Sequence, residues 1–465
     1  MTKKHNSKGQ RNSGHFASQA ERRERGKSLR DLVSRKEQGV WTAAAKKRDP
    51  IAVLEESNTG RISELVPIRY GRMMKSPFTF FRGSAALMAS DLAQMPDTGI
   101  RAQICGDCHL LNFGAFATPE RNAIMDISDF DETLPGPWEW DLKRLATSFV
   151  LACRGNGFKP AVCTEAAQSA VRSYRESMRK FSEMRTLEVW YSKLDIDAYL
   201  AGIKDPDFRK DAAALVEKQK AKSEIAYFFP KVVAQRNGRY LFKDNPPLVY
   251  HTDEQRELKF LDVVKDVFKD YRASLSEERQ ILIDRFELVD VAMKIVGIGS
   301  VGTYCAILLL MAKEDDPLIL QVKEARSSVL EPYAGKSLHE NSGQRVVVGQ
   351  RTMQAHSDIF LGWTQGPKGR HFYLRQLRDM KMSPVPELWT PQRAVEVAHA
   401  MGWILARAHA RSGDSALLSG YMGSKDHFDK AIAAFSIAYA DQTELDHKVF
   451  TQAIRSGRLE AYVER

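Results

Sequence analysis

Residues 104–114 read ICGDCHLLNFG, and their spacing admits three chemistries. Cys105-Gly-Asp-Cys108-His109 has the letters of a covalent haem attachment site. Cys105 and Cys108 alone have the spacing of a redox dithiol. Asp107 and Asn112, five residues apart, have the spacing of a phosphotransferase loop: a carboxylate orients the attacking hydroxyl, and an amide oxygen helps hold a metal. Five cysteines are spread thinly over 465 residues, and no apolar h-region follows the N-terminal charges. Together these point to a cytoplasmic setting with free thiols, where haem attachment after export has no place. A dithiol would want its C-x-x-C at the start of a helix. Here strand-like RAQIC leads into a polar turn and then HLLNFGAF, which lacks helical periodicity.

Downstream residues favour the third chemistry. Ala123 to Ile127 is a short apolar run that ends in Ser128-Asp129-Phe130-Asp131-Glu132. Pro135-Gly-Pro137 breaks the chain, and Asp141 opens a helix with apolar Leu142, Leu145, Phe149 and Val150. One tight loop can therefore present Asp107 and Asn112 to a cavity, and a hairpin can return Asp129 to it. Asp107 suits the catalytic carboxylate. Asn112 and Asp129 suit the metal, with Asp131 in reserve.

These motifs, GDCHLLNF, ISDFDE and WDLKRLA, resemble the G-D-x-H-x-x-N, I-D-F/W-x-D and D-L-A pattern of aminoglycoside and choline phosphotransferases. Those families are relatives of protein kinases. The chain at large, from about residue 25 to 460, resembles the family catalogued as domain of unknown function 2252. That likeness is carried by RYGRMMKSPFTFFRGSA (69–85), CGDCHLLNFG, DFDETLPGPWEWDLKRL, GQRTMQAHSDIFLGW (349–363) and AYADQTELD (438–446). The kinase-like resemblance implies a two-lobed α+β fold, ATP with Mg²⁺ (or Mn²⁺), and a hydroxyl-bearing acceptor of unspecified identity, either a small molecule or a protein.

A nucleotide clamp should precede the catalytic loop, and residues 55–105 hold none. The candidate lies far downstream, where Gly297-x-Gly299-x-x-Gly302 precedes the apolar run Tyr304–Met311, the turn AKEDDP and the strand-like LILQVKEA with Lys323. A glycine turn between strands lets backbone approach phosphates, and a strand lysine then reaches them as a point charge. The rival is a dinucleotide-binding fingerprint, which needs a helix after the glycines and an acidic residue such as Glu324. Glu331 and Glu340 are both candidate acidic partners for Lys323. The helical pattern PQRAVEVAHAMGWILARAHARSG stops at Gly413, and its LARAHA resembles the helix that precedes the catalytic loop in the related families. The order is thus circularly permuted, with the catalytic loop first and the clamp second.

The elements that must position these groups follow from the wider pattern. At 465 residues, 43% hydrophobic and 28% charged, the chain exceeds the roughly 250–300 residues of a single core, so more than one lobe is expected. Residues 1–50 hold 14 Lys+Arg and 5 Asp+Glu, a balance of +9 out of the whole chain's +10. They read as a basic, disordered tail that makes at most non-specific contact with nucleic acid. Residues 51–290 read as a mostly helical lobe carrying the catalytic loop, with a hairpin turning at Asn237-Gly238. Residues 291–385 read as a β-rich clamp lobe, and 386–465 as helices returning to the larger lobe. Arg69, Arg72 and Arg82 can meet phosphate or pair structurally. No stretch reaches the ~18 apolar residues of a membrane span. The expected function is an ATP-dependent phosphotransferase. The alternatives are a non-catalytic nucleotide-binding pseudokinase, or a nucleotidyl transferase on the same scaffold. Oligomeric state is not legible.

Overall fold

The computed structural model describes residues 17–42, 48–223, 225–252, 258–295, 297–313, 316–377 and 382–463. The fold is α+β: a helical body and a six-stranded antiparallel sheet face one another across a cavity.

The chain opens with α1 (Gln19–Ser28), which starts in a capping box between Ser18 and Glu21. This corrects the expectation of a disordered tail for residues 17–42. Several of their charges meet distant partners: Arg22 pairs with Asp414, Arg23 with Glu183, and Arg30 donates to the Tyr421 carbonyl. Residues 1–16 lie outside the described residues. Four short helices follow: α2 (Pro50–Ser57), α3 (Val66–Met73), α4 (Pro77–Gly83) and α5 (Ala85–Leu92). They lead to β1 (Arg101–Ile104), β2 (Phe113–Ala117), β3 (Ala123–Ile127) and β4 (Leu134–Pro137), with β1 paired to β4 and β2 to β3.

The core of the body is three helices: α6 (Trp138–Gly155), α7 (Pro160–Glu183) and, from the far end of the chain, α16 (Pro391–Ala410). Trp138 stacks on Tyr174 at 5.7 Å. Gly402 permits the closest approach: a Cβ there would lie 2.1 Å from the Ala170 carbonyl oxygen, so α7 and α16 meet nearly backbone to backbone. α17 (Ser415–Met422) and α18 (His427–Arg455) complete the body. The chain between α7 and the sheet carries α8 (Thr186–Tyr191), β5 (Leu194–Asp195), α9 (Ile196–Gly202), α10 (Pro206–Ser223) and α11 (Ile225–Val232). The hairpin of β6 (Val233–Arg236) and β7 (Arg239–Phe242) turns at Asn237 and Gly238, both at positive φ, as the Asn-Gly signal requires.

The sheet contains β8 (Val249–Tyr250), β9 (Glu287–Lys294), β10 (Cys305–Met311), β11 (Pro317–Ala325), β12 (Gly362–Gln365) and β13 (His371–Gln376). Its order is β12-β13-β11-β10-β9-β8. β10 reads CAILLLM without alternation because both faces are covered. Ala306, Leu308 and Leu310 pack on Tyr271 and Leu275 from the side of α12 (Leu258–Ala273) and α13 (Glu277–Ile283). Ile307, Leu309 and Met311 pack on Val233 and Phe242. The boundary expected at residue 291 therefore falls too late, since α12, α13 and the first half of β9 already belong with the sheet. α14 (Glu331–Ala334) and α15 (Ser342–Met353) lie between β11 and β12. Residues 378–381, just after β13, lie outside the described residues. Among the described residues no helix is long and apolar enough to cross a membrane.

His251 ties the loop after β7 to the sheet. Its Nδ1 lies 2.7 Å from Asp244 and its Nε2 3.1 Å from Asp290 on β9. The bond to Asp290 raises its pKa, burial opposes, and Asp244 adds to the rise. A histidine whose pKa is raised on folding gives its full stabilisation below the unfolded value, about 6.5, and loses it as pH climbs through the folded one. His251→Asn is thus expected to lower the melting temperature clearly at pH 5.5–6 and progressively less above neutrality. An equal loss at pH 6 and pH 9 would show that the clamp does not depend on the imidazolium.

Candidate functional site

The loop after β1 is held by its backbone. Gly106 has φ +81°, and a Cβ there would lie 2.6 Å from the Glu132 carbonyl oxygen, so only glycine makes this turn. Asp141, in the first turn of α6, accepts from the amides of Cys105 (2.7 Å) and Gly106 (2.9 Å). Asp141 is itself held by His409 Nε2 at 3.3 Å, and His409 Nδ1 by the Tyr174 hydroxyl at 2.9 Å; all three side chains are fully buried. One turn further along α6, Arg144 donates from Nε to Asp107 at 2.6 Å and lies over the Phe81 ring. Ser148 accepts from the Leu110 amide at 3.0 Å. Positions 141, 144 and 148 share one helix face, and that face carries the loop.

Asp107 is thereby fixed at the cavity edge. Burial pushes its carboxyl up to about 6, although Arg144 pulls it down; Asp129 and Glu132 add to the rise. His109 lies 3.9 Å away and is kept neutral, chiefly by burial and also by Arg82 and Arg144. Asn112 donates from Nδ2 to the Asp107 carbonyl at 2.7 Å, and its own carbonyl accepts from the Ser128 amide at 2.7 Å. That bond ties the loop to the residues after β3. Asp129 makes no ion pair among the described residues; its Oδ1 accepts a long 3.3 Å bond from the Asp131 amide. Its carboxylate and the Asn112 side chain line the same cavity.

The sheet supplies the opposite wall. On β11 the residues alternate: Leu318, Leu320 and Val322 meet the α12 side, while Gln321 and Lys323 line the cavity. Lys323 is paired in register with Tyr373 on β13. Its Nζ donates to Asp131 Oδ2 at 2.7 Å, and Asp131 also accepts from the Tyr373 hydroxyl (2.5 Å) and from Ser300 (2.9 Å). Burial opposes the ammonium charge, but Asp129 and Asp131 hold its pKa well above the ordinary value. Burial likewise opposes the Asp131 carboxylate, and Lys323, Tyr373 and Ser300 bring it down to about 2.

The glycine turn joins β9 to β10 with only a single 3₁₀ turn at Ile298–Ser300, and a strand follows Gly302. A Cβ on Gly299 would stand 4.0 Å from Asp107 Oδ2, so the turn reaches over the carboxylate. Asp107, Asn112, Asp129, Gly297, Gly299 and Lys323 thus line one cavity of about 1130 Å³. Gly302 does not. It backs onto Arg61, and its carbonyl accepts from the Ile62 amide at 2.7 Å. The acidic partner of Lys323 is Asp131, not Glu331 or Glu340. Glu331 accepts from the Ser328 amide, and Glu340 is exposed. Arg69 is structural, donating to Asn58 and the Gly83 carbonyl, whereas Arg82 lines the cavity. Cys105 and Cys108 are buried, which drives the Cys105 thiol far up and the Cys108 thiol to about 11. Neither is a poised thiolate, and His109 is 3% exposed, with no open face for a haem.

Sequence reasoning missed Arg144, Ser148, Ser300 and Tyr373, and took Asp141 only as a helix start. The signal for three of these was available: the polar residues Asp141, Arg144 and Ser148 recur at i, i+3 and i+7, which places them on one helix face.

A family model described as "Uncharacterized protein conserved in bacteria (DUF2252)" matches residues 61–453. The chain belongs to the DUF2252 family. No curated protein and no solved structure gives a significant match. The match spans both halves of this DUF2252 site, from Arg61 beside the glycine turn to His409 behind the loop.

The two neighbouring aspartates of this DUF2252 protein should separate cleanly. Asp131→Ala strips a buried ammonium of its bonded carboxylate and is expected to cost ~3–5 kcal/mol of stability. Asp129→Ala removes no ion pair and is expected to cost under ~1 kcal/mol. Denaturant unfolding of both variants checks this; equal losses would mean that Asp129 is as structural as Asp131.

Proposed function

We propose that this protein is an ATP-dependent phosphotransferase on a circularly permuted, kinase-like two-lobed fold. One observation carries the reading. Asp107, Asn112 and Asp129 share a cavity with Lys323, whose bond to Asp131 spans 192 residues of chain. Further support comes from the sheet. Within its order, β12-β13-β11-β10-β9-β8, a glycine turn joins the long strands β9 and β10 and the lysine lies on the next, β11, the arrangement a nucleotide clamp requires. The end of α16 also meets β1: Ser412 accepts from the Gln103 amide at 2.9 Å, where an unpermuted relative would be continuous.

The residues fit a hard divalent cation. Asn112 and Asp129 offer oxygen donors, and the Asp129 carboxylate has no ion-pair partner among the described residues. When bound, Mg²⁺ would supply charge neutralisation between the terminal phosphates of ATP. The chain's own groups do the rest. Lys323 exchanges part of its attraction to Asp131 for the nucleotide's phosphates. The glycine amides approach from above. Asp107, held by Arg144, orients the acceptor hydroxyl and takes its proton. A carboxyl near 6 is ionised at neutral pH yet basic enough for that task.

The pseudokinase alternative draws on one observation. α15, the longer helix between the lysine strand and β12, carries no acidic residue, and Glu331 on the short α14 accepts from the Ser328 amide, so Lys323 depends on the 129–132 loop. Incubation with Mg²⁺ and ATP labelled at the α or γ phosphate separates all three readings: γ transfer is expected, α transfer indicates a nucleotidyl transferase, and no transfer despite binding indicates the pseudokinase. Asp107→Asn is expected to lower turnover by ~10²-fold or more with nucleotide affinity retained. In the wild type, turnover should fall as pH drops through about 6, where Asp107 gains a proton. Undiminished turnover in the variant would remove Asp107 from the chemistry. Asp129→Ala should weaken ATP binding in Mg²⁺ far more than in EDTA; equal weakening would remove it from the metal site.

A further inference from the structure

The cavity extends past the glycine turn into a region walled by α2, the loop after it, α4 and the end of β11. Three guanidinium groups line that region: Arg61, Arg82 and Arg326. None makes an ion pair with a carboxylate among the described residues. Arg61 donates to the carbonyls of Val301 (2.6 Å) and Ser57 (3.4 Å), and Arg326 donates to the Thr59 carbonyl. Arg82 makes no hydrogen bond among the described residues, and its Nε is buried without a partner there. Other inward-facing arginines are satisfied more fully: Arg48 meets Asp91 and Asp446, Arg175 meets Asp429, Arg407 meets Asp126, and Arg69 and Arg345 donate to neutral oxygens. A guanidinium withdrawn from water without a counter-charge costs stability. Carboxylates of Glu56, Glu132 and Glu324 also line the cavity, but among the described residues none forms an ion pair with these three groups, which leaves them to meet an anion that enters.

We propose that the acceptor of this site is a small anionic molecule, one that carries a phosphate or carboxylate near its reacting hydroxyl. The inference rests on the phosphotransferase reading and adds the substrate class. The nucleotide already has its cations in Lys323 and a metal on Asn112 and Asp129. Arg82 lines the cavity with His109 and Asp107, the carboxylate that would receive the acceptor's proton, and also feels the charge of Asp129. Arg61 and Arg326 stand on the far side of the glycine turn. The region is also walled on one side. Ile298 at the tip of the turn is buried against Leu54, Tyr70 and Phe80, and the Ile62 amide bonds Gly302. Behind that wall, a cavity of about 1130 Å³ has room for a metabolite-sized acceptor beside a nucleotide.

The test uses the full chain saturated with Mg²⁺ and a non-hydrolysable ATP analogue. Calorimetry then follows the binding of inorganic phosphate and of glycerol 3-phosphate, with glycerol and choline as neutral and cationic controls. Both anions are expected to bind the nucleotide-loaded protein, and glycerol 3-phosphate should bind at least ~10-fold more tightly than glycerol, the worth of one charge-assisted hydrogen bond. Arg82→Gln should remove that preference, leave the affinity for the ATP analogue unchanged, and leave the melting temperature equal or higher, because an unpaired charge has been relieved. Arg82→Lys should restore part of the preference. Failure of either anion to bind the loaded protein, equal binding of glycerol or choline, or loss of nucleotide affinity in Arg82→Gln would each overturn the inference while leaving the phosphotransferase reading intact. If the ATP analogue itself does not bind, the reading of the site falls and this inference with it.

Discussion

A buried ammonium needs a counter-charge, and the site is organised around how Lys323 obtains one. Its partner, Asp131, belongs to a loop 192 residues earlier in the chain. The pair is stable in the interior because Asp131 also receives the Tyr373 and Ser300 hydroxyls, so its lone pairs are used. Three parts of the molecule thereby close on one carboxylate: strand β11, strand β13 and the glycine turn. The loop that carries Asp131 carries Asp129 as well, so the same contact brings the unpaired carboxylate to the wall opposite the sheet. Arg345 on α15 reinforces the joint by donating to the carbonyls of Asp131 (2.8 Å) and Thr133 (2.7 Å).

The second support is the polar face of α6. Asp141, Arg144 and Ser148 hold two loop amides, one carboxylate and a third amide. Each bond satisfies a group that would otherwise be buried unpaired. Together they fix the Asp107 side chain without the help of any bound molecule. His409 and Tyr174 then fix Asp141 from behind, which makes α7 and α16 part of the site's support although neither lines the cavity. Preorganisation of this kind lets a carboxylate of raised pKa stay in a productive orientation.

Much of this was legible in the sequence, for reasons particular to each residue. Asp107, Asn112 and Asp129 stood out because their spacing is local and their side-chain types suit one chemistry. Lys323 stood out because a lysine late in an apolar strand is costly without a purpose. The glycines of 297–302 gave a turn, but only the folded course of that turn decides that Gly297 and Gly299 line the cavity while Gly302 backs onto Arg61. The choice of Asp131 over Glu331 and Glu340 was hidden for the same reason: DFDE offers alternate carboxylates, and which one meets a distant strand depends on tertiary geometry. Residues 17–42 were misread because composition counts charges and not their partners. Arg22 and Asp414 are 392 residues apart, so nothing local marks Arg22 as paired. The run Tyr304–Met311 left helix and strand open because a strand covered on both faces loses its alternation.

The central claim is that two chain-distant halves form one nucleotide site with Lys323 at its phosphates. An ATP acyl phosphate, which acylates a lysine lying beside bound phosphates, tests it directly when the modified residue is mapped by mass spectrometry. The expected result is modification of Lys323, suppressed by excess ATP with Mg²⁺ and weakened in Asp129→Ala. Modification confined to other lysines, with Lys323 untouched while ATP still protects them, would contradict the account.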